Sequence, residues 1–345
     1  LAVALGGLVL GTFAGAFATG LGSMLAARTL AGSFGGPATA LALAIVADVV
    51  PPERRGRALG AVMGAFAAAS VLGVPAGLEL ARLGGWRAPF VAVAALGVVL
   101  AAVVTAALPP MRGHLAVRPG VVPLRGAAAI FGADGLLRRP VVVLSLLATG
   151  VAMLAQFALV PNIAAYWQFN LGFPRERLGL LFVAGGLVSL VTMRLAGRLA
   201  DRAGAAFTAG GGTAVFIAVL FAAFIFPVHA AAPLFVAFMA ASTFRMVPMQ
   251  ALMSQVPRPQ ERARFMSVQS VVQHLASATG AFGATRLLTE LPGGRLAGMD
   301  SVASISAALA AAIPALLWLV ESRVRRRDGR DAAVRAPALR DAARG

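Results

Sequence analysis

Ten apolar segments of roughly 20 residues follow one another along the chain, separated by short stretches that hold most of the charged residues. An α-helix rises about 1.5 Å per residue, so about 20 apolar residues cross a hydrocarbon core of about 30 Å. The segments are rich in Ala, Leu and Gly and lack the alternation of apolar and polar positions typical of strands. The pattern predicts an all-α, polytopic membrane protein. The predicted spans lie near residues 2–20, 26–49, 58–81, 88–108, 141–163, 178–200, 208–228, 232–254, 265–287 and 301–320.

The composition argues against a water-soluble protein. Of the 345 residues, 59% are hydrophobic and 12% are charged, whereas soluble domains contain about 25% charged residues. All basic residues are arginine, and the net charge is +17. This charge does not indicate nucleic-acid binding, because the arginines lie in short loops between apolar segments rather than on one soluble face.

No residue pattern in the sequence is typical of an enzyme or of a metal centre. Cysteine is absent, which excludes disulfides, thiolate ligands and cysteine nucleophiles. His114, His229 and His274 lie far apart in sequence and lack the spacing of metal-binding motifs. We therefore predict a protein that is not an enzyme and that uses no metal and no cofactor.

Arginine is distributed unevenly between alternate loops, and this predicts the orientation in the membrane. Of the 30 basic residues, 22 flank one side and six flank the other, so the first side is predicted to be cytoplasmic. That side includes the C-terminus, where the Arg-rich segment 321–345 has no apolar period and is predicted to be a disordered tail. Trp86, Tyr166 and Trp167 fall at predicted outer span ends, as interfacial aromatic belts would place them.

The two halves of the chain contain a repeat. The junction at 51–57 has a counterpart at 258–264, and with this offset of 207 residues Gly73 corresponds to Gly280. Two spans of the second half then have no counterpart in the first half. Since the sequence also begins with Leu1 inside an apolar run, we expect two further helices before it, giving twelve spans in two six-helix halves.

Four motifs occur in an order that resembles the major facilitator superfamily, in particular its drug/proton antiporter branch, which includes arabinose-efflux-permease-like proteins. Gly197-Arg-Leu-Ala-Asp-Arg-Ala-Gly204 is similar to the second copy of the family's loop motif. Arg28 to Gly36 resembles the motif of helix 4, and Asp48 to Arg57 resembles the junction of helices 4 and 5. Leu72-Gly-Val-Pro-Ala-Gly77, followed by Gly85-Trp-Arg87, resembles the helix 5 motif of efflux antiporters, with Gly-Val-Pro where many exporters have Gly-Pro.

The resemblance implies a major facilitator fold in which helices 3–12 of twelve are present. Residues 1–110 would form the remainder of the N-terminal bundle, and 111–137 a central cytoplasmic loop. Residues 138–320 would form the C-terminal six-helix bundle, followed by the tail.

The implied function is secondary active transport, with proton-coupled efflux of a small organic solute by alternating access. The implied partners are the solute, protons and the lipid bilayer, with no nucleic acid, in a monomer of the inner (plasma) membrane. Three alternatives stay open: a proton-coupled uptake symporter, a ten-helix drug/metabolite-type carrier and a non-transporting membrane protein.

Polar residues within the predicted spans are the candidates for a substrate or proton pathway. Arg245 would meet an anionic substrate group or a carboxylate, or else form a purely structural pair. His274 would transfer a proton or pack against a neighbour, and Glu79 would transfer a proton or pair with Arg82 or Arg87. The pathway candidates are Arg28, Glu79, Gln156, Asn162, Arg245, Gln250, Gln269, Gln273 and His274.

The motif residues are candidates for conformational gating. Asp201 would face the N-terminal end of a neighbouring helix near Arg57, while Arg198 and Arg202 would pair with Glu53 or Glu261, latching the two halves on the cytoplasmic side. The glycines of helix 5 would provide a smooth ridge for helix approach. The gating candidates are Asp48, Arg54, Arg55, Gly56, Arg57, Gly73, Pro75, Gly77, Gly197, Asp201, Arg202 and Gly204.

Overall fold

The computed structural model describes residues 1–50, 69, 72–107, 135–226, 230–258 and 261–342, and most of these are helical. The chain divides into two compact units, Leu1–Gly120 and Val121–Gly345. The division falls inside the segment 111–137, which the sequence predicts to be the loop between two bundles.

The N-terminal unit consists of α1 (Ala2–Ala16), α2 (Leu21–Val49), α3 (residues 72–84) and α4 (Ala88–Ala107). Helix α1 packs against both α2 and α4. Glycines allow this packing, because a Cβ at Gly11 would lie 2.4 Å from the backbone nitrogen of Ala31 and one at Gly15 would lie 2.8 Å from the Phe90 ring. Close approach through small residues is the usual way in which membrane helices associate.

Among the residues that the structure describes, the C-terminal unit contains seven α-helices, a 3-10 turn at Leu136–Arg138 and one short hairpin. Helices α5 and α7 each end in a π-helical turn, at Tyr166–Asn170 and Phe221–Ile225. The helices are α5 (Pro140–Ala165), α6 (Arg175–Ala203), α7 (Ala205–Leu220), α8 (Ala231–Gln255), α9 (Arg262–Leu287), α10 (Met299–Ala311) and α11 (Ile313–Ala342).

All ten predicted spans contain helix, although their boundaries shift by several residues. The first helix ends at Ala16 instead of residue 20, and α2 begins at Leu21 instead of residue 26. Most of the predicted span 58–81 lies outside the described residues. The last span is divided between α10 and α11 at Ala312, two residues before Pro314, which has no N–H to donate to a preceding turn.

Six helical stretches in the described part of the chain are long and apolar enough to cross a membrane. They are Ala88–Ala106, Pro140–Asn170, Arg175–Ala203, Ala205–Ile225, Ala231–Gln255 and Met299–Arg327.

Helix α11 extends into the segment 321–345, which the sequence predicts to be a disordered tail. Helix α11 continues without a break to Ala342. The side chain of Glu321 pairs with that of Arg325 one turn later, and the following residues are mainly Arg and Ala, which favour helix. Intrahelical pairing favours helix in the first turn beyond the apolar span, whereas Gly329 and Pro337 further along α11 are poor helix formers.

A hairpin that the sequence did not predict joins α9 to α10. Strands β1 (Thr289–Glu290) and β2 (Leu296–Ala297) pair antiparallel, with Gly293 and Gly294 at positive φ in the turn. The Asn170 side chain donates to the carbonyl oxygen of Leu296 (2.8 Å) and accepts from its N–H (2.9 Å). One amide thereby holds the hairpin against the end of α5.

Helix α9 approaches α5 closely at Gly280. A Cβ there would lie 2.5 Å from the carbonyl oxygen of Leu154 and 3.1 Å from the backbone nitrogen of Ala158. Gly283, less than one turn further along α9, would meet no atom within 4 Å. Substitution of each glycine by alanine therefore distinguishes two effects: the cost of pushing the helices apart at Gly280, and the gain in helix propensity that both positions share.

We expect Gly280→Ala to lower the free energy of unfolding by about 1–3 kcal/mol, because the added methyl group must push the two backbones apart. Gly283→Ala should leave stability unchanged or raise it by up to about 1 kcal/mol, since alanine is the better helix former. Thermal unfolding of the two variants in the same detergent measures the difference. Equal melting temperatures would refute the packing of α9 on α5 described above.

Candidate functional site

The strongest candidate site is formed around Arg245, near the middle of α8. The side chain is only 2% exposed. Helix α7 approaches α8 at this point through Gly212, where a Cβ would lie 2.9 Å from the backbone nitrogen of Arg245. One turn further along α7, the Phe216 ring lies beneath the guanidinium, with its centroid 4.0 Å from Cζ.

Helix α5 supplies the polar side of this site. The Nη2 group of Arg245 donates to Oε1 of Gln156 at 2.7 Å, and Nε2 of Gln156 donates to the Ser242 hydroxyl at 3.3 Å. Ser242 precedes Arg245 by one turn of α8, so the glutamine is held from both ends. We call Gln156, Phe216, Ser242 and Arg245 the Arg245 cluster.

The Arg245 cluster leaves a positive charge only partly compensated. Nε and Nη1 of Arg245 are buried and have no hydrogen-bond partner. The three ion pairs among the described residues involve other arginines. Insertion of an arginine at the centre of a membrane helix costs about 2.5–3.5 kcal/mol, so a buried guanidinium with two free donors favours any anion or acceptor that reaches it.

A second polar contact links α8 to α9. Gln269 is buried, and its Nε2 lies 3.4 Å from Oε1 of Gln250. Gln273 and Asn162 are half-buried, with no side-chain hydrogen bond to the described residues. The structure therefore joins two of the four predicted polar positions in a direct contact.

His274 turns back onto its own helix. Its Nδ1 lies 2.7 Å from the carbonyl oxygen of Ser270 and 3.3 Å from the Ser270 hydroxyl, and the side chain is exposed. His274 therefore lies outside the Arg245 cluster.

In the N-terminal unit, the predicted pathway residues lie apart from one another. The guanidinium of Arg28 lies 4.4 Å from the centroid of the Phe90 ring on α4, so this arginine has a cation–π partner within the unit. Glu79 pairs with Arg82, whose Nε donates to it at 2.9 Å. A Cβ at Gly73 or Gly77 would meet no described atom within 4 Å, so the predicted ridge is not covered by another described helix.

The gating candidates fall into two groups. Arg54, Arg55, Gly56 and Arg57 lie outside the described residues, as does the side chain of Asp48. Gly197, Asp201 and Arg202 lie on the last turns of α6, where Asp201 and Arg202 are exposed.

Gly204 ends α6 at φ 94°, a conformation that favours glycine, and begins α7.

One expected partner differs in the structure, and one contact at a helix end was not predicted. Glu261 pairs with Arg139, at the start of α5, and not with Arg198 or Arg202, because the chain places the starts of α5 and α9 side by side. The carboxylate at the N-terminal end of α7 is that of Glu321 from α11, whose Oε2 accepts from the N–H of Ala206 at 2.8 Å. Neither contact has a signal in the sequence, since both join residues more than 100 positions apart.

Trp167 differs from its predicted interfacial position. Its side chain is fully buried, Nε1 donates to the carbonyl oxygen of Ala231 at 2.6 Å, and the rings of Phe224 and Phe235 pack against it. The reason is the π-helical turn after Ala165, which belongs to the packed end of the bundle.

Among the described residues, no group of three or more His, Asp or Glu side chains is arranged to hold a metal ion.

Comparison with known proteins shows which family has this arrangement of helices. The family model of the Major Facilitator Superfamily matches residues 1–281. A chloramphenicol resistance protein of Streptomyces lividans is 32% identical over 195 residues, covering 55% of this chain and 48% of that protein. The purine ribonucleoside efflux pump NepI of Escherichia coli O157:H7 is 28% identical over 186 residues, covering 54% of this chain and 44% of the pump. The chain thus spans about half the length of the curated relatives that it matches.

Solved structures support the same fold. A bacterial homolog of the human lysosomal transporter Spinster, crystallised in an inward-facing and occupied conformation, superposes with a TM-score of 0.61 at 17% sequence identity. The match covers 94% of this chain and 80% of that one. The family match argues against the alternative of a ten-helix drug/metabolite-type carrier. With a family model matching most of its length and a fold shared across both units, the chain belongs to the Major Facilitator Superfamily, whose members are membrane transporters and not enzymes.

Proposed function

We propose that this protein is a secondary active transporter that exports a small organic solute in exchange for protons by alternating access. The observation that carries the proposal is the Arg245 cluster, a charged and hydrogen-bonding site buried among apolar helices of a major facilitator fold. Ionisable residues within membrane helices are costly, and they are typical of substrate and ion pathways.

Similarity to relatives supports export over uptake. The relatives described above include a chloramphenicol resistance protein and a purine ribonucleoside efflux pump. The motif around Gly73 and Gly77 also supports export, because it resembles the helix 5 motif of efflux antiporters. We therefore rank an uptake symporter second and a non-transporting membrane protein third.

In this proposal, Arg245 attracts an anionic or strongly accepting group through its free Nε and Nη1, while Gln156 and Ser242 fix the guanidinium. The incoming group is either part of the solute or a carboxylate on another helix. Glu79, Arg28 and His274 remain the candidates for proton transfer, and Asn162, Gln250, Gln269 and Gln273 would hydrogen-bond the solute or neighbouring helices.

The conformational cycle would depend on the loop motifs. Asp201 and Arg202 on α6 would engage the junction that contains Asp48 and residues 54–57 when the cytoplasmic side is closed, and would release it when that side opens. Gly197 and Gly204 would allow the end of α6 to approach this junction closely. We place the protein in the inner membrane as a monomer, with the arginine-rich side and the C-terminus in the cytoplasm.

Everted membrane vesicles from cells that produce the full-length protein test the direction and coupling of transport. With an acidic lumen reported by a quenched pH dye, addition of chloramphenicol or inosine as probe should restore fluorescence, because antiport exchanges lumenal protons for solute. Vesicles without the protein are the control. Accumulation of labelled probe only when the gradient is reversed would indicate a symporter and contradict export.

Substitution of Arg245 separates a transport role from a structural role. We expect Arg245→Met to reduce probe-driven proton release at least about tenfold, while the melting temperature is kept or raised, because replacement of a buried charge by an apolar side chain of similar size is often neutral or stabilising. Arg286→Met is the matched control, since Arg286 also stacks on a phenylalanine but is exposed. Full transport by Arg245→Met would remove Arg245 from the pathway.

Asp201→Asn tests the proposed latch. The variant should lose most of its transport activity with little change in melting temperature, because Asp201 is exposed and makes no ion pair with the described residues. Glu176→Gln is the control, since Glu176 is an exposed carboxylate in the first turn of the same helix. Transport at the unsubstituted level in Asp201→Asn would exclude the latch.

A further inference from the structure

A pocket of about 250 Å³ lies between the turn that joins α6 to α7 and the side of α11. Its lining includes Phe207 from α7 together with Trp318, Glu321 and Arg325 from α11. The three residues of α11 follow one another at intervals of three and four, so they share one face of the helix. The pocket lies where the apolar span of α11 gives way to its charged continuation.

The inner side of the pocket is polar and closely fitted. Glu321 accepts from the N–H of Ala206 through Oε2 and from Nε of Arg325 through Oε1, at 2.8 and 3.1 Å. A Cβ at Gly204 would lie 2.8 Å from Oε1 of Glu321 and 2.9 Å from Nη2 of Arg325, and the φ of 94° also favours glycine at this position. The carboxylate is thereby compensated by a helix N-terminus and a guanidinium.

Arg325 retains capacity for a second anion. Its Nε and Nη2 bind Glu321, whereas Nη1 has no hydrogen-bond partner among the described residues. Arg323 and Arg326 are also exposed on the same turn of α11. Among the described residues of this turn, three arginines therefore accompany the one carboxylate of Glu321.

The outer side of the pocket is apolar and unusually exposed. Trp318 is 64% exposed and Phe207 is 73% exposed. Both belong to helices long and apolar enough to cross a membrane, so we expect these exposed rings to face lipid. Trp at the level of the headgroups, followed by arginines, is the arrangement that matches the interface of a bilayer.

We propose that this pocket binds an anionic phospholipid, with the headgroup phosphate on Nη1 of Arg325 and an acyl chain against Trp318 and Phe207. A lipid is favoured over a soluble anion because the aromatic rings open toward the hydrocarbon, where only a lipid has a chain to place. Clusters of arginine directly after a membrane helix attract anionic headgroups. The site is independent of the transport proposal, and its test needs no transport.

Fluorescence quenching of Trp318 by brominated lipids measures binding directly. The full chain with Trp86→Phe keeps Trp318 and the fully buried Trp167, so quenching by lipid reports on Trp318. The protein is reconstituted into two lipid mixtures, one with brominated phosphatidylglycerol and plain phosphatidylcholine, the other with plain phosphatidylglycerol and brominated phosphatidylcholine. Comparison of Trp318 quenching in the two mixtures gives the binding constant of the anionic lipid relative to the zwitterionic one. We expect a preference of about fivefold for the anionic lipid, since an arginine near the surface contributes about 1 kcal/mol.

Variants of Arg325 test whether this residue causes the preference for the anionic lipid. Arg325→Gln should reduce the preference to near one, and Arg325→Lys should keep it. Arg323→Gln should also keep it as the matched control, since Arg323 is an exposed arginine of the same turn that does not line the pocket. Equal quenching by the two lipids, or a preference unchanged in Arg325→Gln, would overturn the proposal. If millimolar glycerol phosphate abolishes the preference, the site takes a soluble anion and the lipid assignment is wrong. Melting temperatures of the variants show that each is folded.

Discussion

The absence of water in the hydrocarbon core is the constraint on which the rest of this structure depends. Every backbone N–H and carbonyl within a span must be satisfied inside the chain, and the described spans meet this requirement as helices. Polar side chains face the same demand. Several threonine hydroxyls donate to carbonyl oxygens of their own helices: Thr12, Thr105, Thr192 and Thr213. Ser306 on α10 donates to the carbonyl oxygen of Ala155 on α5.

Against this background, Arg245 is exceptional. Its charge is compensated by one glutamine oxygen and one aromatic face, and two of its donors stay free. Elsewhere in the C-terminal unit, charged groups find closer partners at the helix ends: Glu261 with Arg139, Glu321 with α7, and Arg327 with the carbonyl oxygens of Gln255 and Val256. The buried guanidinium of Arg245 with two unpaired nitrogens is therefore a candidate binding site, whereas these three contacts at the helix ends hold helices of the bundle together.

The lipid environment also explains where helices approach closely. Apolar packing gives little preference for one helix neighbour over another in lipid, so backbones approach where side chains are smallest. Gly280 against α5 and Gly212 against α8 are such places, and Gly212 also sets the position of Arg245 relative to the ring of Phe216.

The sequence alone determined the fold class, the number and approximate limits of the spans, and the family, because span length, arginine distribution and motif order are local properties of the chain. It also named Arg245, Gln156 and Gln269 as candidate pathway residues, since a polar residue inside an apolar run is visible without a structure. It did not determine which of these residues meet. The partners of Arg28, Glu261 and Arg245 lie on other helices, and pairing across helices follows from tertiary packing rather than from local pattern. The same reason accounts for buried Trp167, for the hairpin held by Asn170, and for Glu321 at the start of α7: each depends on two segments brought together only in the folded bundle.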